Sequence, residues 1–187
     1  MSRFDFDTDT EVHALGGGRY RGQLHSRWTI EDVLNGGYVM GLMLRATARE
    51  SSQPDPLTTT AHFLSPTRPG PVEITVEILK AGRSTSTLMT SLLQEGRERI
   101  RALTTAGSLD ERVGPDHMFL RPPAIDPPFE ERRSLLVQKF PENFRFQVPV
   151  SVAGGALGRP SGKPEMGGTI AFADDRPPDL LSLPVFA

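Results

Sequence analysis

A pair of glycines placed directly before a long apolar segment constrains the fold of this chain most strongly. From Tyr38 to Glu50 there is no proline, and Gly41 is the one residue that disfavours a helix. Apolar residues cover most of the helical circumference, and a helix that is apolar nearly all round is buried rather than laid on a surface. At ~1.5 Å per residue, about 14 residues span ~21 Å. The sequence therefore predicts a buried central helix that starts at Asn35-Gly36-Gly37-Tyr38.

Segments typical of β-strands lie on both sides of this helix. They occupy residues 18–26, 57–64, 72–80, 84–94 and 97–108. The alternation is cleanest in the third of these segments, where one face carries Val72, Ile74, Val76 and Ile78. Short runs of turn residues separate the four segments that follow the helix. We therefore predict that these four form an antiparallel meander, with strands ~30 Å long at ~3.3 Å per residue, which is enough to cover the helix.

The second part of the chain repeats this pattern on a shorter scale. Residues 114–128 are rich in proline and typical of a linker. Strand-like segments follow at residues 140–150 and 168–173, and Pro177-Pro178-Asp179 is typical of a helix start. The predicted organisation is a first domain at residues 1–112, a proline-rich linker at 113–139 and an incomplete second domain at 140–187.

The glycine pair is also the strongest candidate for a binding site. Glycines at a helix N-terminus leave backbone N–H groups unshielded, so that a ligand carbonyl can approach them closely. The helix dipole adds partial positive charge there, which suits the stabilisation of an oxyanion. This interpretation predicts that the Gly37 amide is the oxyanion donor. The alternative is that the glycines serve only a tight turn with positive φ, or close packing.

The order of the motifs resembles a known family. Asn35-Gly36-Gly37 opens an apolar helix, His62-Phe63-Leu64-Ser65-Pro66 ends the next strand, and Gly82-Arg83-Ser84 forms a turn after the alternating strand. This order is similar to the first half of the double-hotdog acyl-CoA thioesterases, the acyl-CoA thioesterase II-like group of the thioesterase superfamily. The resemblance covers residues 28–108, and residues 140–187 resemble the opening of the second hotdog. It implies an α+β hotdog fold, in which an antiparallel sheet wraps a central apolar helix, with a second hotdog that is cut short.

The resemblance implies hydrolysis of an acyl-CoA to a free acid and CoA, without a metal or cofactor. Such hydrolysis requires a carboxylate that activates water or attacks the carbonyl. Residues 38–49 contain no Asp or Glu, and Glu50 lies more than ~15 Å along the helix from Gly37. In the family this acid belongs to the second hotdog, on and after its central helix. No residue of this chain is therefore assigned as the base.

Six residues are candidates for binding the substrate: Asn35, Gly36, Tyr38, His62, Arg83 and Ser84. Tyr38 is expected to pack against the sheet with its hydroxyl near the cleft. His62 has the alternative role of a packed or rim residue. Arg83 is suited to a CoA phosphate, and the alternative is a solvated hairpin arginine.

Composition and charge limit the other functional classes. The net charge of −2, with both signs interspersed, does not favour nucleic acid binding. No apolar run is long enough to span a membrane, the N-terminus lacks the apolar core of a secretion signal, and there is no cysteine. We therefore expect a cytoplasmic protein that acts on acyl-CoA, and a homo-oligomer, because a lone hotdog sheet leaves an open strand edge.

Two alternative functions remain open from the sequence. One is a catalytically silent hotdog module that binds an acyl group or CoA. The other is a hotdog dehydratase or hydratase. A resemblance to that class implies an Asp…His pair near the helix start, and the predicted helix has neither residue.

Overall fold

The computed structural model of the protein describes residues 4–30, 32–110, 133–134, 142–148, 162 and 168–187. The chain divides into two compact units, of which the first combines Met1–Val113 with Pro178–Ala187 and the second is Gly114–Pro177. The predicted linker at 113–139 lies outside the described residues, apart from 133–134, so the predicted domain limits stay predictions. Within the described part of the chain, no helix has the length and apolar character needed to cross a membrane.

The first unit is built on one antiparallel sheet and one long helix. Its elements are α1 (Asp5–Asp9), β1 (Val12–Gly16), β2 (Arg19–Leu24), β3 (Thr29–Ile30), β4 (Val33–Leu34), α2 (Gly36–Glu50), β5 (Asp55–Phe63), β6 (Gly70–Ala81), β7 (Ser86–Gln94) and β8 (Arg97–Gly107). Six strands form the sheet in the order β1-β2-β6-β7-β8-β5, and β3 pairs only with β4. This sheet packs against α2, which confirms the predicted hotdog fold.

The strand pairing corrects one part of the predicted meander. β6, β7 and β8 are consecutive antiparallel neighbours, as expected. β5, however, pairs with β8 at the edge of the sheet and not with β6. The helix and β5 are joined by a short loop, so β5 runs back along α2 and reaches the sheet on the far side of β8. Helix α1 and strand β1 precede the first predicted strand and were not predicted from the sequence.

The core lies between α2 and the inner face of the sheet. The alternation predicted for β6 is confirmed for Val72, Ile74 and Val76, which are all buried. It fails at the end of the strand, where Ile78 and its neighbour Leu79 are each 48% exposed and the register shifts between Ile78 and Lys80. β8 contributes Ile100, Ala102, Thr104 and Ala106 to the same core.

The C-terminal ten residues belong to the first unit and pack on α2. In place of the predicted helix, the structure has a turn closed by Asp179 and Ser182, followed by a 3-10 helix at Leu183–Phe186. Asp179 and Ser182 each accept a hydrogen bond from the backbone N–H of the other, at 2.8 and 2.9 Å. Pro184 lacks an N–H and disfavours an α-helical residue before it, so the segment does not continue as an α-helix.

The second unit contains a small antiparallel sheet. Its strands are β9 (Arg133–Ser134), β10 (Phe144–Val148) and β11 (Thr169–Phe172), in the order β11-β10-β9. β10 and β11 confirm the strands predicted at residues 140–150 and 168–173. The Phe144 and Phe172 rings stack across this pair with 5.9 Å between their centroids.

Candidate ligand cleft at the start of the central helix

The first turn of α2 has two backbone donors without a partner. The Oδ1 atom of Asn35 caps the helix by accepting a hydrogen bond from the Tyr38 N–H at 2.8 Å. The Val39 N–H donates to the Asn35 carbonyl at 3.2 Å. Among the described residues, the N–H groups of Gly36 and Gly37 have no hydrogen-bond partner. The first turn of a helix always leaves such donors.

Close packing is the reason that Gly37 is a glycine. A Cβ atom at this position would lie 1.8 Å from the Pro184 carbonyl oxygen and 2.7 Å from the Cα atom of Val185. Gly41, one turn further along, is covered in the same way, since a Cβ there would lie 2.7 Å from the Phe6 ring. Neither glycine has a positive φ. Of the alternatives left open by the sequence, close packing is therefore confirmed for Gly37, and its amide still lacks a partner.

A cleft of about 600 Å³ opens beside this helix start. Its volume falls within the usual range for small-molecule sites. One wall is α2, the second is β5, and the third is the C-terminal segment of the same unit. The lining residues are Asn35, Gly36, Gly37, Met40, Leu44, Pro56, Leu57, Thr58, Thr59, Phe63, Leu180, Leu183, Pro184 and Ala187. Most of these side chains are apolar, so the cleft suits a hydrocarbon group.

The described lining of the cleft carries no charged side chain and no histidine. Glu50 lies at the other end of α2, where its carboxylate accepts a hydrogen bond from the Tyr20 hydroxyl at 2.5 Å. The described residues of the cleft thus bring backbone N–H groups, and no acidic or histidine side chain, to the helix start.

The structure brings together three of the seven predicted site residues. Asn35, Gly36 and Gly37 line the cleft. His62 is exposed on β5, opposite Arg101 of β8 in the strand register. Arg83 and Ser84 are exposed in the hairpin between β6 and β7, where the Arg83 carbonyl accepts a hydrogen bond from Gln53, just beyond the end of α2. These three residues do not line the cleft, and a role in binding CoA stays a prediction for them.

Tyr38 lies on the opposite side of the helix from the cleft. Its ring is fully buried and stacks on Trp28, with centroids 4.9 Å apart and an interplanar angle of 7°. Its hydroxyl donates to the Asp9 carbonyl at 2.9 Å and accepts a hydrogen bond from the His25 N–H at 3.2 Å. Burial raises the pKa of this hydroxyl above its ordinary value. Tyr38 therefore holds the helix start from the side opposite the cleft and does not line the cleft.

A buried carboxylate completes this packed side, and sequence reasoning missed it. Asp9 is 2% exposed and accepts hydrogen bonds from the Trp28 indole at 2.9 Å and from the Arg27 guanidinium at 3.1 Å. The backbone carbonyl of Trp28 in turn accepts from the Asn35 N–H at 2.9 Å. The one signal in the sequence was the single tryptophan shortly before the glycine pair.

Comparison with known proteins agrees with this architecture. Residues 24–107 match the family model described as the acyl-CoA thioesterase N-terminal domain. A candidate thioesterase II from Thermobifida fusca is 30% identical with a TM-score of 0.88, over 100% of this chain and 71% of that one. A hotdog protein from Alicyclobacillus acidocaldarius shares the fold at 19% identity, with a TM-score of 0.82 over 99% of this chain and 69% of that one.

A curated relative gives the same result over a shorter stretch. The thioesterase-like protein TwmA of Talaromyces wortmannii is 38% identical over 96 residues, which are 49% of this chain and 27% of that protein. The match thus spans about a quarter of that relative. The family model and the Thermobifida fusca structure together show that the chain belongs to the acyl-CoA thioesterase family of hotdog proteins.

Proposed function

We propose that the protein hydrolyses acyl-CoA thioesters, with the acyl group in the cleft and the thioester carbonyl at the Gly36 and Gly37 amides. The observation that carries this proposal is the pair of unpartnered N–H groups at the head of an apolar cleft of about 600 Å³. An acyl thioester has the matching parts, since it joins a hydrocarbon chain to one carbonyl oxygen.

The amides act on the charge that develops during the reaction. Attack on the thioester carbon moves negative charge onto the carbonyl oxygen, and fixed donors with the helix dipole stabilise that charge more than the ground state. One such donor contributes roughly 10²–10³-fold in rate. The attacking water still needs a base, and no side chain among the described residues that line the cleft can act as one. The resemblance to the family predicts that this base belongs to the second hotdog.

A second candidate function is binding without turnover. The absence of a side-chain carboxylate from the described cleft lining favours an acyl-binding module. The same lining also lacks the Asp…His pair that a hydratase would need. The discriminating measurement is release of free thiol from a panel of acyl-CoA esters, with binding measured in parallel. We expect thiol release, whereas binding of every ester without any release would leave only the binding module.

The role of the amides is tested best by a pair of ligands rather than by Gly37→Val. Unchanged turnover in that variant would refute the assignment, but loss of turnover would not establish it, because a side chain there also displaces Pro184. We propose ¹⁵N-glycine labelling and titration with an alkyl-CoA ketone, which keeps a carbonyl at the position of the thioester carbonyl, and with the matched thioether, which has a methylene there. The Gly36 and Gly37 amide resonances should shift with the ketone only. The mid-helix Gly41 amide is the internal control, and equal shifts with both ligands would contradict the assignment.

Self-association through the sheet is part of the proposal. In the part of the chain that the structure describes, β5 pairs with β8 alone and β1 with β2 alone. Unpaired strand edges are templates for pairing with another chain. Light scattering should therefore show a mass above that of one chain, and a strict monomer over a range of concentrations would contradict this part.

A further inference from the structure

We propose that Leu44 ends the acyl cleft and thereby selects unsubstituted acyl chains of medium length. This inference rests on the proposed function, because it takes the thioester carbonyl to lie at the Gly36 and Gly37 amides. It adds a chain-length limit and the residue that sets it.

The position of Leu44 gives the length of the cleft. Gly36, Met40 and Leu44 follow one another at intervals of four residues on one face of α2, and all three line the cleft. β5 runs antiparallel to the helix, so that Phe63 lies at the Gly36 end and Pro56 at the Leu44 end. Eight residues of helix rise about 12 Å. A C–C bond of about 1.5 Å advances an extended alkyl chain by roughly 1.3 Å, so this distance takes roughly nine carbons.

A second cavity lies directly beyond Leu44. It has a volume of about 10 Å³, the room of roughly one water molecule. Its lining residues are Leu44, Thr47, Ala48, Ser51, Gln53, Pro54, Pro56, Thr104 and Ala106. Leu44 and Pro56 are the two residues that line both spaces. The Leu44 side chain, which is 4% exposed, therefore stands on the boundary, and its removal would join the cleft to the cavity.

The chemistry of the wall excludes polar substituents on the acyl chain. The described lining contains no charged side chain that would pair with a second carboxylate. Thr59 is one of the few polar side chains on the wall, and its hydroxyl is hydrogen-bonded to the hydroxyl of Thr104 at 3.1 Å. A hydroxyl or carboxyl on the ligand chain would lose its water without gaining a strong partner. The cleft thus favours an unsubstituted alkyl chain.

The test measures chain-length dependence by calorimetric titration with alkyl-CoA thioethers from butyl to hexadecyl, which bind without being hydrolysed. Affinity should rise by up to roughly fourfold per methylene and then stop rising near the octyl to decyl chains. Leu44→Ala removes three carbons, and we expect the plateau to move to chains longer by roughly three carbons. Leu44→Val makes a smaller change in the same direction, and it guards against a Leu44→Ala variant that does not fold.

The matched control is Leu42→Ala. Leu42 is a fully buried residue of the same helix, but it packs on Gly22 of β2 and does not line the cleft. It should lower stability and leave the plateau where it is. If no thioether binds to the unaltered protein, the proposed function fails. If the thioethers bind but the Leu44 variants that fold show the same plateau chain length as Leu42→Ala, the chain-length inference alone fails.

Discussion

The two sides of helix α2 differ in how completely they are packed. On one side Tyr38 and Leu42 are fully buried, and Tyr38 is stacked on Trp28 and hydrogen-bonded to the Asp9 carbonyl. On the other side Gly36 and Met40 face a cleft of about 600 Å³. Residues of the same helix thus serve either the packed core or the wall of the cleft. The packed side holds the first turn in place, and that support allows the other side to leave two amides and an apolar wall open to a ligand.

Trp28→Ala should have the largest effect, because it removes the centre of the packed side. The indole is fully buried between Phe6 and Tyr38 and donates a hydrogen bond to Asp9. Without the indole, the buried Asp9 carboxylate would have one hydrogen-bond donor fewer. We expect a loss of about 3–5 kcal/mol in the free energy of unfolding. Met40→Ala on the cleft side should lower it by only about 1 kcal/mol. Urea unfolding of both variants measures the difference, and equal losses would remove the distinction between the two sides.

Gly37→Ala should have the next largest effect, because Gly37 lies where the two sides meet the C-terminal segment. The added Cβ would overlap the Pro184 backbone, which cannot rotate away as a side chain can. We expect a loss of about 2–3 kcal/mol. The neighbouring Gly36→Ala is the matched control, since its Cβ would meet the end of the half-exposed Phe63 ring at 3.1 Å. Its effect should stay within about 1 kcal/mol, and a similar loss in both variants would show that the segment does not require Gly37.

The helix start and strands β6 to β8 were more predictable from sequence than the rest, because they depend on local features. The glycine pair and the apolar run predict the helix start to within two residues of Gly36. β6, β7 and β8 lie within two residues of their predicted limits because side-chain alternation and turn residues are local properties.

The features that sequence reasoning missed depend on contacts between distant residues. Asp9 reaches Trp28 across 19 positions and Tyr38 across 29, and no periodicity encodes such a pair. The pairing of β5 with β8 is missed for the same reason, since the side-chain alternation of a strand does not determine which strand it pairs with. Tyr38 was expected to have its hydroxyl near the cleft, but its ring stacks on Trp28 on the packed side of the helix.

Asn35→Ala should have a smaller effect that acts on both sides at once. The Asn35 side chain accepts the Tyr38 N–H and so fixes the geometry of the two free amides before it. Loss of an N-cap costs about 1 kcal/mol. Asn35→Ser retains an oxygen that can cap the helix and should lose only a few tenths of that amount, about 0.3 kcal/mol. Chemical denaturation compares the two variants. A loss of stability with serine as large as with alanine would mean that Asn35 stabilises the fold by an interaction other than the N-cap hydrogen bond.

At neutral pH the smallest effect is expected from Tyr20→Phe, on the packed side at the far end of α2. The hydroxyl donates to Glu50, which is half-buried and can be hydrated when the hydroxyl is gone. We therefore expect a loss of about 0.5 kcal/mol at neutral pH. The characteristic effect lies at alkaline pH, because burial, followed by the hydrogen bond to Glu50, raises the pKa of Tyr20 to about 12.

The sign of this pH dependence follows from linkage. The pKa of tyrosine in the unfolded chain is about 10, so the folded state holds the proton more tightly. The contribution is complete below pH ~10 and is lost as the pH rises through the folded value of about 12. Tyr20→Phe should flatten this fall in the free energy of unfolding, measured by urea titration at several alkaline pH values. Glu50→Gln should keep most of the fall, because burial is the larger cause. If Glu50→Gln flattened it as fully as Tyr20→Phe, the carboxylate rather than the packing of this side would control the titration.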